Sequence, residues 1–493
     1  MAKVLKSIFS ATLVLILAFS SLSFGNTSTV NASLHEQRLL VVFQSENLPS
    51  NVNTLVSKAG GQITYEVPQI GVIEVATNNP GTFLKEMLKN KQVLSIGPSV
   101  EVNLELPEFE TDGNEVETNT NIIENIWESG YQWDIEQVTN NGASHSINKE
   151  GRSEVVVAVI DTGFDFNHPD LVANVDLEGS KTFVPGTTDS WDWNSHGTHV
   201  AGTIGADGRM KGVAPGVTLR SYRVFGATGG AQQIWITDAI IAAANDGVDV
   251  INMSLGGTRL LGQWFYTNPN TGEKIRGGNS AADYTAYTRA VRYAVKKGAT
   301  VVASAGNSSY DLSNPSKVAE KINEGRTDGW EAKGAVFYVP AQIPGVVTVS
   351  SIGAGFGTEN RLAYYSNYGN GAIDLGAPGG DLGPNNQGGS KHLVLSAVPT
   401  YMTFNTARGL EAKALFGEGY GWKGGTSMAA PQVSGAAAAY IASVLADTGK
   451  KPSPMQVQTR LQQTAVDAGK NGYDEIYGHG IVNAHQALLR NKK

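Results

Sequence analysis

Apolar and polar positions follow two different rhythms along this chain. Over residues 39–100, short apolar bursts alternate with stretches of helical spacing. Leu39–Phe43 is a β-like run, and Val52–Ala59 has helical spacing closed by Gly60-Gly61. Gln62–Val67 and Val72–Ala76 alternate as a strand pair. Pro80–Asn90 predicts a helix with proline at its start, and Val93–Val100 a last strand. The resulting order β-α-β-β-α-β is ferredoxin-like. That order alone carries no function.

Past residue 129 the rhythm changes. Val155–Ile160 (VVVAVI) is an unbroken apolar run, as a strand buried on both faces requires. Similar runs recur at Thr218–Val224, Asp249–Met253, Thr300–Ala303 and Val346–Ser350, with helical segments between them that include Ile236–Asn245 and Asp283–Lys297. The pattern predicts an open α/β fold, a parallel sheet with helices on both faces, preceded by the small ferredoxin-like α+β unit. In such sheets ligands gather at the carboxyl ends of the strands.

Composition narrows the possibilities. The 493 residues are 41% hydrophobic and 17% charged, which excludes global disorder. Glycine, at 58 residues, favours many tight turns over bundles or coiled coils. Cysteine is absent, which removes disulfides, zinc–thiolate sites and thiol nucleophiles. The net charge of −8 is local: Glu101, Glu105, Glu108, Glu110, Asp112, Glu115, Glu117, Glu124 and Glu128 crowd residues 101–128 without any Lys or Arg. The remainder is close to neutral, and no basic stripe suggests nucleic acid.

The N-terminus carries Lys3 and Lys6, an apolar run from Ile8 to Phe19, and small residues at Val30-Asn31-Ala32. This is the layout of a secretory signal peptide, and the run is short for a membrane span. Export without cysteine fits a Gram-positive route to the exterior.

Four polar residues stand where ligands would gather. Asp161 follows VVVAVI directly. His196 opens SHGTHVAGT, Asn307 ends VVASAGN, and Ser427 lies in GGTSMAAPQVSGAAAAY at the entry of an Ala-rich helix closed by Gly449. In this order, with these flanks, they resemble the subtilisin-like serine proteases, over roughly residues 133–490. Asp161-Thr162-Gly163 and Asp447-Thr448-Gly449 also repeat an aspartic-protease tripeptide. However, Asp447 ends a long helix and precedes a Lys-Lys-Pro stop, so that reading fails. His196 and His199 lack further ligands at metal spacing.

The resemblance implies roles that the residue types allow. Ser427 would be the nucleophile, His196 its general base, Asp161 the group that orients the imidazole, and Asn307 an oxyanion donor. Substrate would pair with Gly229-Gly230-Ala231 and Ser254-Leu255-Gly256. Ser304-Ala305-Gly306 would complete a pocket in which small side chains leave room for a large residue. The resemblance divides the chain into a signal peptide (1–32), an inhibitor-like propeptide (33–105), an acidic linker and processing region (106–128) and a catalytic domain (129–490). It implies a secreted, monomeric zymogen whose own propeptide assists folding, with peptide or precursor protein as substrate and no cofactor needed for the chemistry.

Asp170 matches a family calcium ligand, but Gly205–Gly212 is short for the loop that completes such a site, and no metal is assigned. QWDIEQVTNNGASHSI (132–147) resembles the lantibiotic leader peptidases, which often cut after a basic residue. The connections Gly257–Asp283, Ser308–Phe337 and Gly379–Gly425 are long, which predicts walls or lids around the cleft and a narrow substrate range. The alternatives are a broad-specificity extracellular protease and a binding protein on a catalytically dead scaffold.

Overall fold

A computed structural model describes residues 37–105, 107, 121–147, 152–268, 270–354, 361–383, 389–402 and 410–489. The signal-like segment 1–32 and most of the acidic linker lie outside the described residues.

The N-terminal unit runs β1 (Gln37–Phe43), α1 (Val52–Lys58), β2 (Gln62–Val67), β3 (Val72–Thr77), α2 (Pro80–Met87) and β4 (Val93–Pro98). Its strands lie in the order β2-β3-β1-β4, all neighbours antiparallel, the ferredoxin-like arrangement. Asn79 caps α2 by accepting from the Thr82 N–H, and Pro80 follows where its missing N–H costs nothing. A short strand, β5 (Glu101–Asn103), leaves the unit toward the main body.

The main body is an eight-stranded sheet. Its parallel core comprises β6 (Val156–Asp161), β7 (Thr218–Arg223), β9 (Val250–Met253), β10 (Thr300–Ser304) and β11 (Val346–Gly353), in the spatial order β11-β10-β9-β6-β7. The connection leaving β6 crosses to β7 on one side, whereas β9 lies on the other. That reversal opens a crevice at the carboxyl end of β6.

Alternate residues of the strands feed two different cores, which explains the unbroken apolar runs. Val157, Val159, Val250, Val302 and Val347 face α6 (Thr426–Thr448). Ala158, Ile160, Ile251, Met253 and Val301 face α4 (Gln233–Asn245) and α5 (Ala281–Lys297). By length and composition α6 could cross a membrane, but it is the buried centre of the body.

The N-terminal sheet is also covered twice. Leu39, Val41 and Phe43 pack on α1 and α2 with Val56, Phe83 and Met87. Leu40, Val42 and Val72 join the core beneath α4 and α5 instead. Burying each of these is worth roughly 1.5–3 kcal/mol, so the second face holds the unit on the body. Polar contacts fix the seating. Arg289 on α5 donates to the carbonyls of Phe43 and Ile70, both at 2.8 Å, and Tyr65 donates to Asp238 on α4 at 2.8 Å.

The three long connections are not open loops where they are described. Gly257–Leu260 pairs antiparallel with Val336–Val339, and Gln263–Thr267 lies between Lys274–Arg276 and Trp330–Lys333. Val394–Ala397 and Leu410–Glu411 flank Tyr420–Lys423. Runs such as Gln263–Thr267 carry bulky residues on both faces, and their strand character emerges only once a partner strand is present.

Asp134, on the helix Trp133–Thr139, is wholly buried. Its Oδ2 accepts from Gln432 Nε2 at 2.7 Å, while Oδ1 has no partner. Burial pushes its carboxyl up to about 7, opposed only in part by the Gln432 amide. A folded pKa above the unfolded value contributes stability that is complete below about pH 4 and lost as pH rises through about 7. Asp134→Asn is expected to flatten this decline, measured as the difference in unfolding temperature between variant and parent across that window. Parallel profiles for the two proteins would contradict the assignment.

Candidate active site

Asp161 is the last residue of β6 and stands at the crevice where the strand order reverses. Both of its oxygens face His196 Nδ1, at 2.8 and 2.9 Å, and Oδ1 also accepts the Thr162 N–H at 2.8 Å. His196 opens the helix α3 (His196–Gly205) and is fully buried. The entry is strained: Ser195, a non-glycine residue, has φ +90°.

Asp192, buried and absent from the sequence-based set, holds this turn. Its Oδ1 accepts from Thr162 Oγ1 and from the N–H groups of Asn194 and Ser195 at 2.8–2.9 Å. Oδ2 accepts from the Thr198 N–H and hydroxyl at 3.0 and 2.7 Å. The carboxylate thereby serves N–H groups of the first turn and complements the positive end of the helix. Lys423 Nζ donates to Ser195 Oγ at 3.1 Å. Asp192 lies four residues before His196, outside the cap position that Ser195 holds, so capping patterns in the sequence do not single it out.

Ser427 is the second residue of α6. Its hydroxyl donates to the Ser254 carbonyl at 3.1 Å, and Ser254 Oγ returns a bond to the Ser427 carbonyl at 2.7 Å. The expected Ser427–His196 hydrogen bond is not made, and His196 Nε2 is buried without a partner. Asn307 is locked by its oxygen, which accepts the N–H and hydroxyl of Thr426 at 2.9 and 2.8 Å. Its Nδ2 is thus aimed outward, where it donates to the Glu105 carbonyl at 2.7 Å.

That carbonyl arrives on a strand. β5 pairs antiparallel with β8 (Gly230–Gln232), setting Val102 opposite Ala231 and Asn103 opposite Gly230, and the Leu104 N–H donates to the Gly229 carbonyl at 3.2 Å. Gly229, Gly230 and Ala231 therefore form a strand-adding edge. The other two expected segments, Ser254-Leu255-Gly256 and Ser304-Ala305-Gly306, flank a space that is filled. A Cβ on Gly256 or Gly306 would lie 2.4 Å from the ring of Tyr338. The room those small residues leave is taken by a side chain from the strand 336–339, a residue with no signal in the local sequence.

Asp170 does not fit a cation. Its oxygens accept from the Arg209 N–H at 2.6 Å, the Tyr420 hydroxyl at 2.8 Å and the Met210 N–H at 3.4 Å, so donor hydrogens point where an ion would sit. Arg209 stacks on Tyr420 with 5.0 Å to the ring centre and donates to the Phe416 and Glu124 carbonyls at 3.0 Å. His199, eyed earlier as half of a metal pair, bonds the Val394 carbonyl at 3.1 Å. Burial, then the charges of Lys423 and His196, hold its pKa well below the ordinary value. Among the described residues no group of three His, Cys, Asp or Glu side chains could hold a metal.

A buried carboxylate–imidazole pair at a parallel strand end, with a serine at a helix entrance beside an outward-aimed asparagine, defines the subtilisin-like serine endopeptidases. Residues 152–480 match the model of the subtilase family, and the chain belongs to that family. The epidermin leader peptide-processing serine protease EpiP of Staphylococcus epidermidis is 29% identical over 486 residues, covering 96% of this chain and 98% of its own. The nisin leader peptide-processing serine protease NisP of Lactococcus lactis subsp. lactis is 32% identical over 328 residues, 63% of this chain and 44% of its own. The crystal structure of EpiP from Staphylococcus aureus superposes with a TM-score of 0.68 at 28% identity, covering 93% of this chain and 99% of that one. As a subtilase, the protein needs no cofactor for peptide hydrolysis.

Two outcomes are expected from the carboxylates around the site. Asp192→Ala strands several buried donors, and denaturant unfolding should register a loss of about 3 kcal/mol or more together with slower labelling by a fluorophosphonate. Asp170→Ala should lower the unfolding temperature equally in calcium and in chelator. A loss seen only in calcium would restore a cation to that position.

Proposed function

We propose that Ser427 is the nucleophile, His196 its general base and later general acid, Asp161 the group that fixes the imidazole tautomer, and Asn307 the oxyanion donor. A serine hydroxyl is a weak nucleophile near neutral pH and needs an imidazole nitrogen to take its proton. With Nδ1 bound to Asp161, His196 offers Nε2 for that purpose, and the carboxylate stabilises the imidazolium that forms. The Ser427 hydroxyl must leave the Ser254 carbonyl to reach this nitrogen. As the carbonyl carbon becomes tetrahedral, negative charge grows on its oxygen, where Asn307 Nδ2 is already aimed.

The observation that carries this reading is the 2.7 Å hydrogen bond from Asn307 to the Glu105 carbonyl, made by a segment added to the cleft as a strand. A peptide lying there, with one carbonyl on the oxyanion donor, is held as a substrate would be. It supports residues 33–105 as an inhibitory propeptide, with the protein secreted as a zymogen. Two relatives named for processing leader peptides, one of them matched along nearly its whole length, support a role in trimming the leader from a lantibiotic precursor.

A fluorophosphonate should label the parent protein at Ser427 and leave Ser427→Ala unlabelled. Ser427→Ala should keep the N-terminal unit covalently attached where the parent releases it. Asn307→Ala should retain labelling while kcat falls by on the order of 10²–10³, the range known for loss of this donor in subtilisin. Full peptidase activity in a protein that still carries residues 33–105 would sink the zymogen reading.

A further inference from the structure

The chain in the cleft identifies one residue as the occupant of the specificity pocket. Because the Glu105 carbonyl lies on Asn307 and residues 101–104 pair with the Gly229–Gln232 edge, Glu105 stands immediately before the bond presented for cleavage. Tyr338 occupies the space between Ser254–Gly256 and Ser304–Gly306, and the Glu105 carboxyl comes up against its hydroxyl. The Tyr338 hydroxyl meets Glu105 Oε2 at 3.3 Å. Burial, then the neighbouring Glu105, pushes the phenol well above its ordinary pKa, so it stays an O–H donor. Glu105 as a residue is exposed, yet protein crowds its carboxyl enough that desolvation is the largest influence on it and raises its pKa. The Tyr338 hydrogen bond and then the positive Arg259 oppose that rise.

Arg259 comes from the strand Gly257–Leu260, which pairs with the strand bearing Tyr338 and sets Thr258 opposite it. It is almost wholly buried, and its Nε binds Asp283 at 2.6 Å. Asp283 offsets its charge, so what the guanidinium offers is a donor: Nη2 is buried without any partner. The Tyr287 hydroxyl and Asp283 Oδ1 are likewise buried and unpaired in the same cluster. Two of these, Arg259 Nη2 and the Tyr287 hydroxyl, are donors, and buried donors left unpaired are costly. The Glu105 carboxylate accepts from Tyr338 and leaves Nη2 unpaired beside it, whereas a lysine or arginine side chain would set its own donors against that unpaired donor.

We propose that this is a glutamate pocket, with Tyr338 and Arg259 as its specificity-determining residues, and that the protein cuts itself after Glu105. The inference rests on the assignment of Ser427 as nucleophile. In the step itself, Ser427 Oγ bonds to the Glu105 carbonyl carbon and its proton passes to His196. The C–N bond to residue 106 breaks, and that proton goes to the departing amine. Water then displaces Oγ, leaving a free carboxyl on Glu105. The proposal also reverses the basic preference that the family resemblance implies.

The test uses the full-length chain. Intact mass and N-terminal sequencing should place the first cut after Glu105. Peptides in trans spanning residues 101–110, varied at the Glu105 position, should be cleaved with kcat/KM highest for Glu and lowest for Arg. Tyr338→Phe and Arg259→Gln should each narrow the Glu-to-Leu ratio by about tenfold, the order set by one hydrogen bond to a charged group. Fluorophosphonate labelling of Ser427 in both variants reports a folded site, so a changed ratio cannot be ascribed to misfolding. Labelled, active protein that cuts elsewhere, prefers Arg, or keeps the parent's Glu-to-Leu ratio in both variants would overturn the pocket while leaving the nucleophile intact. Absence of both labelling and cutting would overturn the nucleophile, and the pocket with it.

Discussion

A carboxylate taken out of water must be surrounded by donors, and two such carboxylates organise the crevice at the end of β6. Asp161 uses His196 and the Thr162 N–H, and Asp192 uses Thr162, Asn194, Ser195 and Thr198. Thr162 touches both, so the strand end and the helix entry form one network. The strained turn at Ser195 persists because these bonds over-determine it. Without them, nothing local would keep an imidazole buried on the first turn of a helix with its Nε2 free.

Around that network, the body is shaped by the requirement that both faces of each sheet be covered. The main sheet is enclosed by α6 on one side and α4 and α5 on the other. The N-terminal sheet carries a second apolar face of its own, and α4 and α5 are the surface that accepts it. Once this face is docked, the chain that leaves it has a short path to the cleft. β5 and Glu105 lie along the edge as a consequence of that seating, and the strand pairing adds register to it.

The proposed glutamate pocket is built on the accessory strands. The glycines at 256 and 306 make room, and Tyr338 from the paired segments 257–260 and 336–339 fills it. The same strand pair delivers Arg259, held by Asp283. Long connections thus act as walls that bring polar groups to a pocket whose own backbone segments carry little chemistry.

Much of this was present in the order of residues. Periodicities of 2 and 3.6 located β1–β4 within a residue or two, because side-chain direction repeats locally, and unbroken apolar runs located the parallel strands, the last of them running three residues past Ser350 to Gly353. The flanks of Asp161, His196, Asn307 and Ser427 singled them out, because strand ends and helix entries leave local signatures. Three matters needed the folded chain: the Ser427 hydroxyl turned to Ser254, the Asp170 oxygens engaged by Tyr420 and Arg209, and the pocket floored by Tyr338 beside Arg259. Each depends on side chains distant in sequence, whose meeting is decided by sheet pairing and packing that no local pattern encodes.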